Sequence, residues 1–453
     1  MTEAQQTSDI YGILPDRPAK RVLMLVGAAG DWTLPHIHLP DERIWAPSVG
    51  VTCAGMRNLL AADVIVLRNV HASYSDDRSH GELIYLLENQ GEGWTPPAGA
   101  KWIDHDALEN LLLAHPEHRA VIAGELREAE TSYIPELRPP WAQPGWFKAA
   151  SAWMETQLEG HNYVLTAPIE QTKSWGISCL LRAQTDQGDV YFKVSTSLPL
   201  FGNEPALLKA LSERYPDFVP APLAIEPAQR WMLMRDFGTE LRSMPSLTHY
   251  ETAMQRFGQL QVQTVSQVED LLAIGCLDRR LDILSTQIDP LLSNDEALAL
   301  LAVDEIAQLR ALAPRLKAMC SELAGYRVPD SLSHGDLHSG NITGETLLIF
   351  DWTDACIAHP FLDLSVVVGD LEESALGGHE RVLDAYLNQW VAYEPLDRLR
   401  AMWRLAEPLG AFHQAVSYQH IVATLEPTSK QELIWGVPEW LRRVLRSMPD
   451  EIA

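Results

Sequence analysis

A chain of 453 residues with 46% hydrophobic residues and 14 tryptophans is long and apolar enough for two or three globular domains, and too apolar for disorder. Its formal charge of −26 argues against nucleic acid and anionic membrane surfaces as partners. Five cysteines (Cys53, Cys179, Cys276, Cys320, Cys356) without CxxC spacing predict free thiols rather than disulfides or a zinc site. No apolar run reaches the ~18 residues of a membrane helix, and MTEAQQTSDIYG carries no leader pattern. A cytoplasmic protein without membrane contact is the expectation.

In chain order, residues 1–19 are polar and are expected to be a flexible tail. Short strands then follow at Val22–Val26, Val49–Thr52, Asp63–Leu67 and Leu83–Glu88, punctuated by Gly, Pro and Asp. Two helices come next, one from near Asp104 and one over His118–Glu128. This order, with TLPHIHLP early and WIDHDALENL late, resembles the Nudix fold over residues 20–137. The resemblance stops at the scaffold: a working Nudix box needs several glutamates on one helix face, and Ala54–Leu60 contains no carboxylate. A catalytically silent domain is expected, with the roles of lid, dimer surface and ligand sensor left open. His36 and His38 lack a nearby third ligand in the sequence and read as surface or packed residues.

Residues 138–150 are dense in Pro and Trp and predict a stiff linker whose two Trp pack it against a domain. Beyond it, residues 151–238 read as a β-rich lobe. Two strands, 164–171 and 179–185, flank a loop holding Ser174 and Ser178. A third strand, Asp189–Val194, carries Lys193 among apolar neighbours, and burying an unpaired ammonium is costly. Glu204 then opens a helix, and a hairpin through Met234 ends in Asp236-Phe237-Gly238. Residues 239–453 read as helical, with apolar stripes over Tyr250–Val268 and again after a capping box at Ser293 and Glu296. Pro314 is expected to kink or interrupt that second stripe. Four later helices are expected at 381–393, 396–407, 409–425 and 430–447.

The chemistry lies in Ser333–Asp363, SHGDLHSGNITGETLLIFDWTDACIAHPFLD. Phosphoryl transfer to a hydroxyl needs a carboxylate to take the proton, and Asp336 is placed for it. It also needs oxygen ligands for magnesium, and Asn341 and Asp351, the latter closing an apolar strand 347–350, supply them. The five-residue step from Asp336 to Asn341 equals that of the protein-kinase catalytic loop. HGDLHSGN, IFDWTDA and HPFLDLS together resemble the aminoglycoside phosphotransferase family, kin of choline kinases and other small-molecule kinases, over residues ~150–440.

That resemblance implies an α+β, two-lobed protein-kinase-like fold behind the Nudix-like domain, with ATP or GTP as co-substrate, Mg2+, and a small hydroxyl acceptor. It gives Lys193 the phosphates and Glu204 as its partner, puts Ser174 in the phosphate-covering turn, and sets Met234 and Asp236 at the nucleotide hinge. His334 and Asp363 become braces of the catalytic loop; His338 is left without a role. Asp370, Glu372, Glu373, His413, Gln414 and His420 lie where acceptor pockets form and are assigned nothing. A regulatory pseudokinase is the alternative reading, and a homodimer is left open.

Overall fold

The computed structural model describes residues 6–448 apart from 28, 41–44, 76, 78, 132 and 375. The chain forms two compact units, one of residues up to Val194 with Leu425–Glu432, the other of Ser195–Thr424 with the chain from Leu433 onward. Among the described residues no helix is long and apolar enough to cross a membrane.

In the first unit, a four-stranded sheet runs in the order His36–Leu39, Thr7–Ile13, His80–Asn89, Val64–Tyr74. Thr7–Ile13 pairs parallel to His80–Asn89, with Ile10 opposite Leu83. The flexible tail expected over 1–19 is therefore corrected for residues 7–16: Ile10, Tyr11, Ile13 and Leu14 are buried, and these few apolar side chains outweigh the polar residues around them. A second correction concerns Val49–Thr52, read as a strand because of its β-branched residues. It enters the helix Gly50–Leu60, whose Cys53, Met56 and Leu60 recur at helical spacing and pack on Ile10, Val64, Leu83 and Tyr85.

The Pro/Trp segment is no free tether. Trp141 is buried and donates its indole N–H to the Trp175 carbonyl at 2.8 Å. Arg138, also buried, forks onto Glu128 at 2.8 and 2.9 Å and reaches Glu426 at 2.7 Å. Breaking one partner of such a buried ion pair costs about 3–5 kcal/mol. Strands Glu170–Ser174, Ser178–Thr185 and Gly188–Ser195 complete this unit side by side. In the last strand Val190, Phe192 and Val194 are buried, whereas Asp189, Tyr191 and Lys193 take the less buried face, as the period of two requires.

The second unit begins with the helix Glu204–Arg214 and the hairpin Ala224–Glu226/Trp231–Arg235. Long helices follow at Leu247–Thr264, Leu281–Leu292, Val303–Leu323, Leu396–Ala423 and Gly436–Ser447. Ser293 is the C-cap of Leu281–Leu292 rather than an N-cap. At the start of the next helix Glu305 accepts the Ala302 N–H at 2.8 Å, but Ala302 has no side-chain acceptor to return the bond, so a capping box is not formed there either. Pro314 and Pro408 sit inside continuous helices, so neither residue interrupts its helix. A missing N–H forfeits one bond, and burial of Leu405, Ala406, Leu409, Ala411 and Phe412 around Pro408 outweighs it.

A small sheet positions the chemistry. Cys356–Ala358 lies between Leu277–Asp278 and Ser331–Ser333, with Ser333 opposite Cys356 in antiparallel register. The chain just after Ser333 and the chain just before Cys356 therefore emerge at the same sheet end.

Candidate active site

That register brings His334–Asp336 beside Asp351–Asp354. At Gly335 the backbone takes φ +82°, and a Cβ there would strike the Asp354 carbonyl, so glycine is required twice over.

Asp363 holds the loop from below. Its buried carboxylate accepts Ser333 Oγ at 2.7 Å, the Gly335 N–H at 2.9 Å, the His334 N–H at 3.1 Å and Gln261 Nε2 at 3.0 Å. Burial pushes its carboxyl up to about 6, and the four donors hold it from rising further. His334 braces from the other side. Its Nε2 donates to the Phe350 carbonyl at 2.9 Å, while Nδ1 accepts the Asp336 N–H at 3.3 Å. A carbonyl only accepts and an amide N–H only donates, so this imidazole is the neutral Nε2–H tautomer. The bracing expected of His334 and Asp363 is what the geometry contains.

With the loop fixed, Asp336 keeps 44% of its side-chain surface exposed. Desolvation lifts its carboxyl above the ordinary range, His338 and Arg242 pull it back, and Asp351 and Asp370 push it up again. His338 now has defined surroundings. Its Nδ1 accepts from the Gly340 N–H at 3.0 Å and Arg242 Nη2 at 2.8 Å, leaving its Nε2–H 3.7 Å from Asp336 Oδ2.

Asn341 donates Nδ2 to the Asp336 carbonyl at 2.9 Å, which leaves its amide oxygen for a cation. Asp351 adopts φ +60°, ψ +62°, a left-handed conformation that Asp tolerates better than most residues. The apolar strand expected over 347–350 is only an isolated bridge, Ile342 to Ile349, in a tight hairpin whose Leu347 is also left-handed. Backbone bonds from the Thr343 N–H to the Leu348 carbonyl at 2.9 Å and from the Phe350 N–H to the Asn341 carbonyl at 3.0 Å close that hairpin, and the Thr343 hydroxyl also accepts the Leu348 N–H at 2.8 Å. These oxygens fit magnesium: an amide oxygen and a carboxylate lie near a second carboxylate whose ionisation Asp351 opposes, a repulsion that a dication would relieve.

Glu204, the first residue of its helix, is buried. The Thr353 hydroxyl lies 3.0 Å from Glu204 Oε2 and 2.8 Å from Asp351 Oδ1, and its single proton serves one of them at a time. Met234 is buried in its strand, and Asp236 accepts the Gly238 N–H at 2.9 Å in a turn after it. Lys193 and Ser174 lie in the first unit. Ser174 is buried, its N–H bound to the Pro47 carbonyl at 2.9 Å, and the Trp175 N–H is taken by the Ser178 carbonyl at 3.1 Å. Both N–H groups are thus committed, one to Pro47 outside the hairpin and one to Ser178 within it.

Three braces went unassigned in the sequence: Gln261 on Asp363, described above, Asp370 and Gln414. Asp370 accepts the Ser339 N–H at 2.9 Å, Ser339 Oγ at 3.0 Å and Tyr250 OH at 3.1 Å. Gln414 donates to the Gly335 carbonyl. The usable signal for Gln414, as for Gln261, was an amide inside an otherwise apolar helical stretch, since a buried polar group needs a partner.

The chain matches the model of the phosphotransferase enzyme family over residues 185–413, just over half its length, and it belongs to that family. No curated protein matches it in sequence. Among solved structures it is similar to a choline kinase from Cryptosporidium parvum (12% identity, 66% of this chain and 96% of that one, TM-score 0.49). It is also similar to a macrolide 2'-phosphotransferase from Brachybacterium faecium (16%, 64% and 98%, 0.43). A third likeness is to a spectinomycin phosphotransferase in complex with ADP and spectinomycin (9%, 65% and 98%, 0.42).

Proposed function

We propose that this protein transfers the γ-phosphate of a nucleoside triphosphate to a hydroxyl of a small molecule. The carrying observation is the braced loop: Asp336 stands half-exposed at its end, five residues before an Asn341 whose amide oxygen is left for a metal. Asp336 accepts the hydroxyl proton as the oxygen attacks phosphorus in line. Asn341 and Asp351 would hold magnesium, which supplies charge neutralisation to the phosphates when bound. Lys193, set by Glu204, steadies the phosphates, and the backbone at Met234 and Asp236 meets the purine. No covalent enzyme intermediate is needed, because positioning carries most of the rate. The acceptor is an aminoglycoside-like compound, an amino alcohol or a sugar, and the domain borders proposed for this activity are 151–238 and 239–453. Residues 20–137 are proposed to be a Nudix-like scaffold without its box.

Calorimetric titration of ATP and GTP, with and without magnesium, tests this reading on wild type and Asp351→Asn. Metal-dependent binding that Asp351→Asn weakens at least tenfold is expected. No nucleotide binding under any condition would replace the reading by a non-catalytic binding protein.

A further inference from the structure

Away from this chemistry, the first unit holds a second concentration of ligating side chains. Glu82 stands on the strand His80–Asn89. His115, Glu117 and His118 come from one tight turn, His115-Pro116-Glu117-His118, closed by the His118 N–H on the His115 carbonyl at 3.1 Å. One ligand atom from each of these four residues lies within 4.8 Å of all the others.

We infer that Glu82, His115, Glu117 and His118 form a binding site for a zinc-type transition-metal dication. Tetrahedral zinc with N and O ligands at ~2.0–2.1 Å places neighbouring ligand atoms about 3.3–3.5 Å apart. Two edges of such a tetrahedron already stand near that length. His118 Nε2 is 3.2 Å from Glu82 Oε1, and His115 Nδ1 is 3.2 Å from Glu117 Oε1. The remaining edges have to close by about 1.5 Å at most, and Glu117, with 61% of its side chain exposed, is free to turn inward.

The surroundings are arranged as metal-site histidines need. The two imidazoles stack with centroids 4.9 Å apart, and Tyr11 sets its ring edge against both. The Tyr11 hydroxyl lies 3.1 Å from His115 Nε2, which fixes the ring and leaves Nδ1 toward Glu117. Tyr11 and His118 are both buried, so two parts of the site are held by the core. Two carboxylates with two neutral imidazoles carry a charge of −2, which a dication cancels. Imidazole nitrogens select zinc, nickel or copper over magnesium. Four protein ligands leave no open position, so the ion would be structural, joining the central strands to the helix Arg119–Thr131 that follows the turn.

The test uses untagged, chelator-stripped full-length protein in excess Mg2+, which occupies the oxygen ligands of the second unit. Zn2+ is titrated calorimetrically, and Co2+ binding is followed by its visible spectrum. One ion per chain, an intense tetrahedral-type Co2+ spectrum and a raised thermal midpoint are expected. His115→Ala and Glu117→Gln, both at positions that reach solvent, should each weaken zinc binding at least tenfold while circular dichroism stays native. Asp9→Asn removes the carboxylate facing His36, His38 and His80, and it should leave the affinity unchanged. Absent zinc binding, unchanged affinity in both ligand variants, or a loss confined to Asp9→Asn would each overturn the site.

Discussion

The catalytic loop and the histidine corner around Glu82 are both dense in polar groups, yet they are held in opposite ways. In the loop, backbone N–H groups are the anchors: Asp363 takes two of them and Asp370 a third, so loop conformation and side-chain placement are set together. In the corner, ring stacking and one tyrosine hydroxyl hold the imidazoles while the carboxylates stay partly in water. The contrast teaches that an organised site need not be a rigid one. The loop is complete before any ligand arrives, whereas the corner still has to contract.

The largest effect should come from removing the group that the loop exists to present. Asp336→Ala is expected to lower turnover by about 10²–10⁴-fold and to leave nucleotide affinity within about twofold. Steady-state rates alongside calorimetry check this, and retained turnover would show that another group takes the proton.

Next, Asp363→Ala leaves four donors without their acceptor, two of them backbone N–H groups that nothing nearby replaces. Each unsatisfied buried group costs about 1–3 kcal/mol, so a loss of about 3 kcal/mol or more in urea unfolding is expected. A drop below 1 kcal/mol would mean that the loop does not depend on this anchor.

A smaller effect concerns pH. Because burial raises the Asp363 carboxyl to about 6 from an ordinary value near 4, the folded state binds this proton more tightly than the unfolded one. Its contribution to stability is full below pH ~4 and is lost as pH rises through about 6, roughly 1–3 kcal/mol in all. The slope of unfolding free energy between pH 4 and 6.5 should accordingly be more negative in wild type than in Asp363→Asn; equal slopes refute the assignment.

The smallest effect is a contrast with both polar regions. All five cysteines are buried free thiols. Burial holds Cys53 up to about 11 and Cys179 and Cys356 up to about 12, so a thiol reagent should label the native protein far more slowly than the urea-unfolded chain. Rapid labelling of the native protein at pH 8 would contradict that burial.

How much of this was legible depended on sequence distance. Asp336 and Asn341 share one loop, so their spacing could be read directly. Asp363 followed in a motif of its own. The acceptors and donors that complete the bracing come from Gln261, Asp370 and Gln414, which helices deliver from 31 to 102 residues away. Periodicity marks such helices as core but does not say which polar residue on them meets the loop. The strand Thr7–Ile13 was missed for a similar reason, since its partner His80–Asn89 lies 73 residues further on. Pro408 misled in the opposite direction: local preference predicts a break, and packing overrules it.

The first unit has a seam in time as well as in space. Arg138 waits for Glu426, 288 positions later, and Gly176 lies against Leu425 and Ser429. During synthesis at ~5–20 residues per second, the ribosome takes about 10–50 s to go from the end of the first long segment to those last pieces. Throughout that interval the nascent first unit holds Arg138 without its later partner, while the whole helical stretch between is being made. Its completion is therefore a late event, gated by the translation of the second unit, and slow codons or a stalled ribosome in that stretch would prolong the unfinished state.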